Sequence, residues 1–266
     1  MVSKNQILRV FAVSESMFET NVVVRVYWMT GKQRKKAVDV RLALTCENKR
    51  AAAEAVAIRY LLGDVCVFNK NRTGQNLGLV VSKGAIKKLG HSKSQLSELY
   101  DYGYPLLTRY MGAVITVSKD QSWFPLVDDL GEVACIDGER LRGMELFETN
   151  GKGVIAITRH ALERYQEYCG TINSHTAWKS LVQRLQYNAG IEKVELPRNV
   201  LEHKIGKYGE APEVRRHPNS TLHFVFIVKG DYKQLITVFD RNTKFDKPKN
   251  VFRSEKDAWN PVKKVA

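Results

Sequence analysis

"ALTCENKRAAAEAVAIRYLLGDVCVF", residues 43–68, changes its hydrophobic period twice. Its first residues finish "AVDVRLALT" (37–45), where apolar and polar side chains alternate in the two-residue repeat of a strand with one buried face. From Asn48 to Gly63 the apolar positions Ala51, Ala55, Ile58 and Leu62 recur three and four apart, which predicts a helix. Asn48 is placed to cap its start and Gly63 to end it. "VCVF" (65–68) is wholly apolar, the pattern of a strand covered on both faces. Strand, helix and buried strand in succession are the unit of an α/β layer.

Upstream, "NVVVRVYWMT" (21–30) is rich in Val and aromatics and reads as a strand. It pairs with 37–45 as a hairpin whose tip, "GKQRKK" (31–36), carries Lys32, Arg34, Lys35 and Lys36. Downstream, "VVSKGAIKKL" (80–89) and "SKSQLSELYDYGYPLLTRYM" (92–111) read as helical, and "GAVITVSKD" (112–120) as another buried strand. The order βββαβα(α)β over residues 7–120 resembles the ribonuclease H fold. That resemblance implies carboxylates on the first strand, the first helix and the end of the fourth strand, holding two metal ions that activate water. The helix offers Glu54 or Glu47, but the first strand has Arg25, Tyr27 and Trp28, and the fourth ends in "NKNR" (69–72). Cations and amides give a Mg²⁺ no reason to bind. Residues 1–120 are therefore expected to be a non-catalytic ribonuclease H-like platform.

Residues 121–153, with Pro125, several glycines and an acidic cluster, read as a connector, with a domain boundary near Gly151–Gly153. In "ITRHALERY" (157–165) Thr158 is a natural N-cap, and Ala161, Leu162, Tyr165, Tyr168 and Cys169 make an apolar helix face. A second helix, "HTAWKSLVQRLQYN" (175–188), turns Trp178, Leu181, Val182 and Leu185 inward. "KVELPRNVLEHKIGKYGEAPEVRRH" (193–217) reads as polar, Lys-rich strands or loops. A hairpin follows: "TLHFVFIV" (221–228), the turn "KGDY", then "QLITVFDR" (234–241). Residues 242–266 form a basic, Pro-interrupted tail. The expected fold class is α/β plus α+β: a ribonuclease H-like mixed sheet with helices, then a smaller domain (154–241) of two helices packed on an antiparallel sheet.

Charge narrows the partner. The 266 residues include 42 Lys and Arg against 28 Asp and Glu, a formal +14, and 44% are hydrophobic. A chain of that make-up can bury its own cores and calls for an anionic partner: RNA or DNA, or alternatively an acidic protein such as an inhibitor. Cys46, Cys66, Cys135 and Cys169 include no C-x-x-C pair, so neither a disulfide framework nor a zinc site is expected. Cys66 and Cys135 sit in apolar runs and read as buried free thiols. The chain has no signal-peptide core and no long apolar run, which points to a cytoplasmic protein without a membrane partner. Walker, dinucleotide, H-E-x-x-H and G-x-S-x-G motifs are absent, so no cofactor or metal is expected.

"TRHALERY" opening a helix and "LITVF" (235–239) in a late strand make residues 154–241 resemble the barnase–EndoU–RelE-like group of small metal-independent ribonucleases, many of them toxins. The resemblance implies a mobile-element, phage or toxin-type system and a reaction in which a base takes the ribose 2′-OH proton while a cation stabilises the phosphorane. His160, Arg164, His223 and Tyr208 are the catalytic candidates, with His217 also in reach by type. Lys32, Arg34, Lys35, Lys36, Lys70, Arg72, Lys207, Arg215 and Arg241 are the candidates for holding nucleic acid. Plainer readings stand beside these. Glu163 and Glu167 would make His160 and Arg164 part of a solvated salt-bridge face. His223 would be a half-buried strand histidine with a satisfied ring. The lysines at a hairpin tip favour solubility in any case.

Overall fold

The computed structural model describes residues 6–18, 20–69, 73–170, 173–188 and 190–241. These residues form two six-stranded mixed sheets and six helices.

The first sheet starts as an antiparallel meander of β1 (Gln6–Phe18), β2 (Asn21–Thr30) and β3 (Arg34–Ala43). In β2 every second residue from Val22 to Trp28 is buried, as its period demands. Helix α1 (Lys49–Gly63) lays its alanines, Val56, Ile58, Leu61 and Leu62 on that buried face. Asn48 makes no side-chain capping bond, and Gly63 is the last helical residue, followed by Asp64 still in right-handed conformation. Strand β4 (Leu77–Val81) joins parallel to β1, helices α2 (Gly84–Gly90) and α3 (Ser97–Gly103) follow, and β5 (Val114–Val117) joins parallel to β4. With β6 (Ala134–Asp137) parallel to β3, the order is β5-β4-β1-β2-β3-β6.

The fourth strand is not "VCVF". The end of α1 captures that segment: the Val65 and Val67 amides donate to the carbonyls of Tyr60 and Leu61, and Cys66 takes a positive φ of 50°. A left-handed residue in the middle of a four-residue run cannot continue an extended strand. The strand is "LGLVV", where Leu77, Leu79 and Val81 are buried in alternation, so Val80 and Val81 end a strand rather than begin a helix. The thiols differ too. Cys46 is buried, but Cys66 is half-buried and Cys135, on the edge strand β6, is exposed, as is Cys169.

The second sheet comprises β7 (Leu146–Thr149), β8 (Gly153–Ile157), β9 (Glu192–Val194), β10 (Glu213–Arg216), β11 (Leu222–Lys229) and β12 (Tyr232–Asp240), in the order β7-β8-β12-β11-β10-β9. It is mixed rather than antiparallel, because β8 runs parallel to β12. Helices α4 (Arg159–Cys169) and α5 (Ser174–Tyr187) cover one face, with Leu162, Tyr165, Trp178, Leu181 and Leu185 packed on Phe224, Phe226, Leu235 and Val238. A third helix, α6 (Arg198–Tyr208), occupies the stretch read as strands or loops. None of its residues is buried, and its only apolar stripe is the short one of Leu201, Ile205 and Tyr208.

Residues 121–153 serve both sheets, giving β6 to the first and β7 to the second. Gly151 and Gly153, at positive φ, form the turn of the β7–β8 hairpin, so the expected boundary falls inside the second sheet. The two halves touch where Ser174 Oγ donates to the Met111 carbonyl at 2.9 Å and Arg109 pairs with Glu145 at 2.6 Å. Among the described residues no helix is long and apolar enough to cross a membrane.

Candidate nucleic-acid interface

Strand β11 is buried on both faces from Leu222 to Ile227. Leu222, Phe224 and Phe226 point into the core under α4 and α5. His223, Val225 and Ile227 therefore face the opposite side. His223 is only 3% exposed. Its Nδ1–H donates to the Thr221 carbonyl at 2.8 Å, which leaves Nε2 as a lone-pair acceptor, and Nε2 is buried with no hydrogen-bond partner. Burial disfavours the imidazolium and lowers the pKa of His223. Arg241 and Arg216 push the same way, against the Thr221 bond and Asp240.

Phe239 lies opposite His223 in the β11–β12 register, and the two rings stack with centroids 4.8 Å apart and planes 12° apart. That register depends on a bulge: Val225 pairs with Thr237 but Phe226 with Leu235, so Ile236 is the extra residue. Thr158 holds the bulge. Its hydroxyl donates to the Leu235 carbonyl at 2.9 Å and accepts from the Ala161 amide at 3.1 Å, so the N-cap of α4 and the bulge are one joint. β8 ends at Ile157, and α4 continues from there packed along β12.

Helix α6 completes the cluster. Lys204 Nζ lies 5.2 Å from the Phe239 ring and 5.9 Å from the Tyr208 ring, and Lys207 Nζ lies 5.3 Å from Tyr208. Partial burial and Lys207 lower the pKa of Lys204. Exposed Arg216 is opposite His223 on β10, and exposed Arg241 follows β12. Among the described residues none of Lys204, Lys207, Arg216 and Arg241 has a carboxylate partner, although twelve ion pairs occur elsewhere. His160 sits at the exposed start of α4. The surrounding protein still disfavours its charged form, and Arg164 and Lys207 add to the lowering while Glu163 and Glu167 oppose it.

The sequence candidates thus divide. His223, Tyr208, Lys207 and Arg241 gather in the cluster, with His160 near enough to feel the charge of Lys207. Arg164 is already engaged, with Glu167 at 2.5 Å and the Tyr168 hydroxyl at 2.5 Å, as Arg159 is with Glu163. Arg215 pairs with Phe224 and so points to the other face, where it and Lys233 share Glu213. His217 Nδ1 accepts from the Asn219 amide in the turn after β10. In the first half, Lys32 and Lys36 are exposed and Lys35 half-buried at the β2–β3 tip. Arg34 ties that tip down, donating to the Val67 carbonyl at 2.9 Å and lying 5.4 Å from the Trp28 ring. Lys70 and Arg72 lie outside the described residues. Sequence reading missed Lys204, Arg216 and Phe239. The Lys204–Tyr208 spacing of four was the available signal, but only for a reader who had recognised α6.

In the first half the informative carboxylate is Glu54, fully buried on α1. One oxygen accepts from the Ala12 amide at 2.9 Å, beside a bulge in β1, and from the Ser82 hydroxyl; the other accepts from the Ser82 amide at 2.9 Å, just past β4. Glu54 therefore fastens β1, α1 and the end of β4 together. Lys119 reaches the same corner and donates to the Ser82 carbonyl. Among the described residues no three His, Cys, Asp or Glu side chains gather as a metal-ligand group.

No protein-family model matches the chain, and no curated protein matches it significantly.

Proposed function

We propose that the chain is a nucleic-acid-binding protein and that the α6–β10–β11–β12 cluster holds an RNA or DNA strand. The observation that carries this reading is the set of four cations, Lys204, Lys207, Arg216 and Arg241, gathered near His223, Phe239 and Tyr208 with no ion pair to a carboxylate among the described residues, although Asp240 lies close by. Unneutralised cations attract phosphates and release counterions when they bind them. Phe239 is already covered by His223 and Lys204, and the half-buried Tyr208 ring beside the flexible Lys207 is the stacking partner for a base, at roughly 1–3 kcal/mol. The formal +14 and the second basic group at Lys32, Lys35 and Lys36 favour the same class of partner. An acidic protein would satisfy the charges but would make no use of the stacking face.

In this reading residues 1–120 are a ribonuclease H-like platform. The β5-β4-β1-β2-β3 order, with β4 and β5 parallel to β1, supports it. Its lack of catalysis is supported at the corner of β1, α1 and β4, where Ala12 and Ser82 stand and the Glu54 carboxylate is consumed by hydrogen bonds. A cytoplasmic setting in a phage, mobile-element or toxin-type system belongs to the same proposal. Ribonuclease action by residues 154–241 is the second reading, favoured by a buried imidazole with an open Nε2 beside a cationic surface. Arg164 weighs against it, since its guanidinium is engaged by Glu167 and Tyr168.

The test is binding and cleavage of labelled single-stranded RNA and duplex DNA in EDTA at two salt concentrations. The proposal predicts binding that weakens steeply with salt. Cleavage that survives EDTA and is lost in His223→Phe supports the second reading, and no binding at low salt refutes both.

A further inference from the structure

We propose that a groove on the first half, between the start of α1 and the end of β4, takes one phosphate of a nucleic-acid backbone while the lysines of α2 follow the strand; that the anion is nucleic acid rests on the binding role above. The groove has a volume of about 360 Å³. Lys49 and Arg50 wall it from the first turn of α1 and Lys83 from two residues past β4, and Glu15 and Glu47 also line it. Arg50 engages Glu15 at 2.7 Å, and Glu47 is exposed. Lys49 and Lys83 are half-buried, and among the described residues neither has a carboxylate partner. Lys119 donates to the Ser82 carbonyl, next to Lys83. Burial and the charge of Lys119 lower the Lys83 pKa, Arg50 adds to the lowering, and Glu54 and Glu15 oppose it. Lys83 is thus held among cations with no counter-ion of its own.

The fold itself does not ask for these charges. Helix α1 carries Lys49 and Arg50 in its first turn and no acid there, although that end of a helix favours acids. Like charges brought together cost stability, and an anion in the groove removes that cost. The lysines continue past the groove. Between Asp64 and Glu98 the sequence has six Lys and Arg and no acid. On α2, Ile86 and Leu89 are buried, while Lys87, Lys88 and, three residues beyond the helix, Lys93 are exposed. None of these three has a carboxylate partner among the described residues. A single small anion would use the groove and leave them idle, whereas an anion repeated along a strand uses both. No aromatic ring lines the groove, and its apolar walls are Ala51 and Ala85, so a base has nothing there to stack on. The contact is therefore with phosphates, which position a strand without reading its sequence.

The experiment follows binding of labelled single-stranded RNA by fluorescence anisotropy across a salt series. It uses the wild-type chain, a groove variant (Lys49→Gln with Lys83→Gln), an α2 variant (Lys87→Gln, Lys88→Gln and Lys93→Gln), and the chain with Lys204, Lys207, Arg216 and Arg241 replaced by Ala. The slope of log affinity against log salt should fall by about 1.4 in the groove variant and about 2 in the α2 variant, at roughly 0.7 for each cation removed. Two RNAs of unrelated sequence should show the same falls. The groove variant should melt no lower than the wild type, because removing either lysine relieves repulsion. An unchanged slope in either variant overturns the inference, and a loss confined to the Lys204, Lys207, Arg216 and Arg241 variant then leaves the binding role standing. A groove variant that melts well below the wild type also overturns it, since Lys49 and Lys83 would then be structural. Poly-glutamate binding that is lost in the groove variant while RNA binding is unchanged would assign the groove to an acidic protein instead. Failure of the wild-type chain to bind RNA at low salt overturns the nucleic-acid role itself.

Discussion

His223 and Phe239 stack across β11 and β12 with their ring planes 12° apart, and Lys204 of α6 lies 5.2 Å from the Phe239 ring. Three elements of one stretch, residues 198–240, thereby bring an imidazole, a phenyl ring and an ammonium together. The grouping exists because a bulge at Ile236, fixed by Thr158, turns Thr237 and Phe239 to the side of the sheet away from α4 and α5.

The pH dependence of stability follows from His223. Its folded pKa lies below the ordinary 6.5, with burial as the main cause, so folding favours the neutral ring. Its contribution is complete above about pH 6.5 and is lost as pH falls through the folded value. Thermal unfolding followed from pH 8 to pH 5 should therefore show a decline below pH 6.5 that is smaller in His223→Phe. His160, lowered in the same direction, accounts for part of what remains. An identical decline in both proteins would show that His223 does not titrate on unfolding.

Glu54→Ala should destabilise the first half. It leaves the Ala12 and Ser82 amides buried without their acceptor, at roughly 1–3 kcal/mol each. A loss of about 2–6 kcal/mol in urea denaturation is expected on that basis. A loss below about 0.5 kcal/mol, the size of an ordinary surface substitution, would mean that Glu54 is not the fastening of β1 to β4.

Replacing Lys32, Lys35 and Lys36 together by Ala tests the β2–β3 tip. If the tip touches single-stranded phosphates, the slope of log affinity against log salt should fall by about 2, since each contact contributes roughly 0.7. An unchanged slope would show that these lysines serve solubility alone.

Arg164→Ala should have little effect on binding. Its guanidinium is held by Glu167 and Tyr168 on a partly exposed helix face, where a pair of this kind is worth roughly 0–1 kcal/mol. A loss of affinity as large as that caused by replacing Lys204 would move the interface onto α4.

Much of the architecture was readable in residues. The switch from period two to period 3.6 between Ala43 and Gly63 is the β3–α1 junction, and Thr158 caps α4 as its position promised. The β11–β12 hairpin followed from the turn and from the alternation of Phe224 and Phe226 with His223 and Val225. Where reading failed, backbone geometry or weak burial was the reason. "VCVF" is apolar enough for a strand, but its amides go to the carbonyl end of α1. Helix α6 buries none of its residues, and its Leu201, Ile205 and Tyr208 spacing is short and set among polar residues behind Pro197. The choice between Arg215 and Arg216 turns on strand register, which places Arg215 beside Phe224 and Arg216 beside His223. A one-residue difference in register reverses which side chain faces the cluster, and composition carries no trace of it.

The measurement that tests the account most directly is the salt dependence of single-stranded RNA binding by the wild-type chain and by a variant with Lys204, Lys207, Arg216 and Arg241 replaced by Ala. The account predicts steep salt dependence in the wild type and a slope lower by about 3 in the variant, at roughly 0.7 for each cation removed. Equal slopes and equal affinities would contradict it, because the cluster would then not be where this protein meets phosphate.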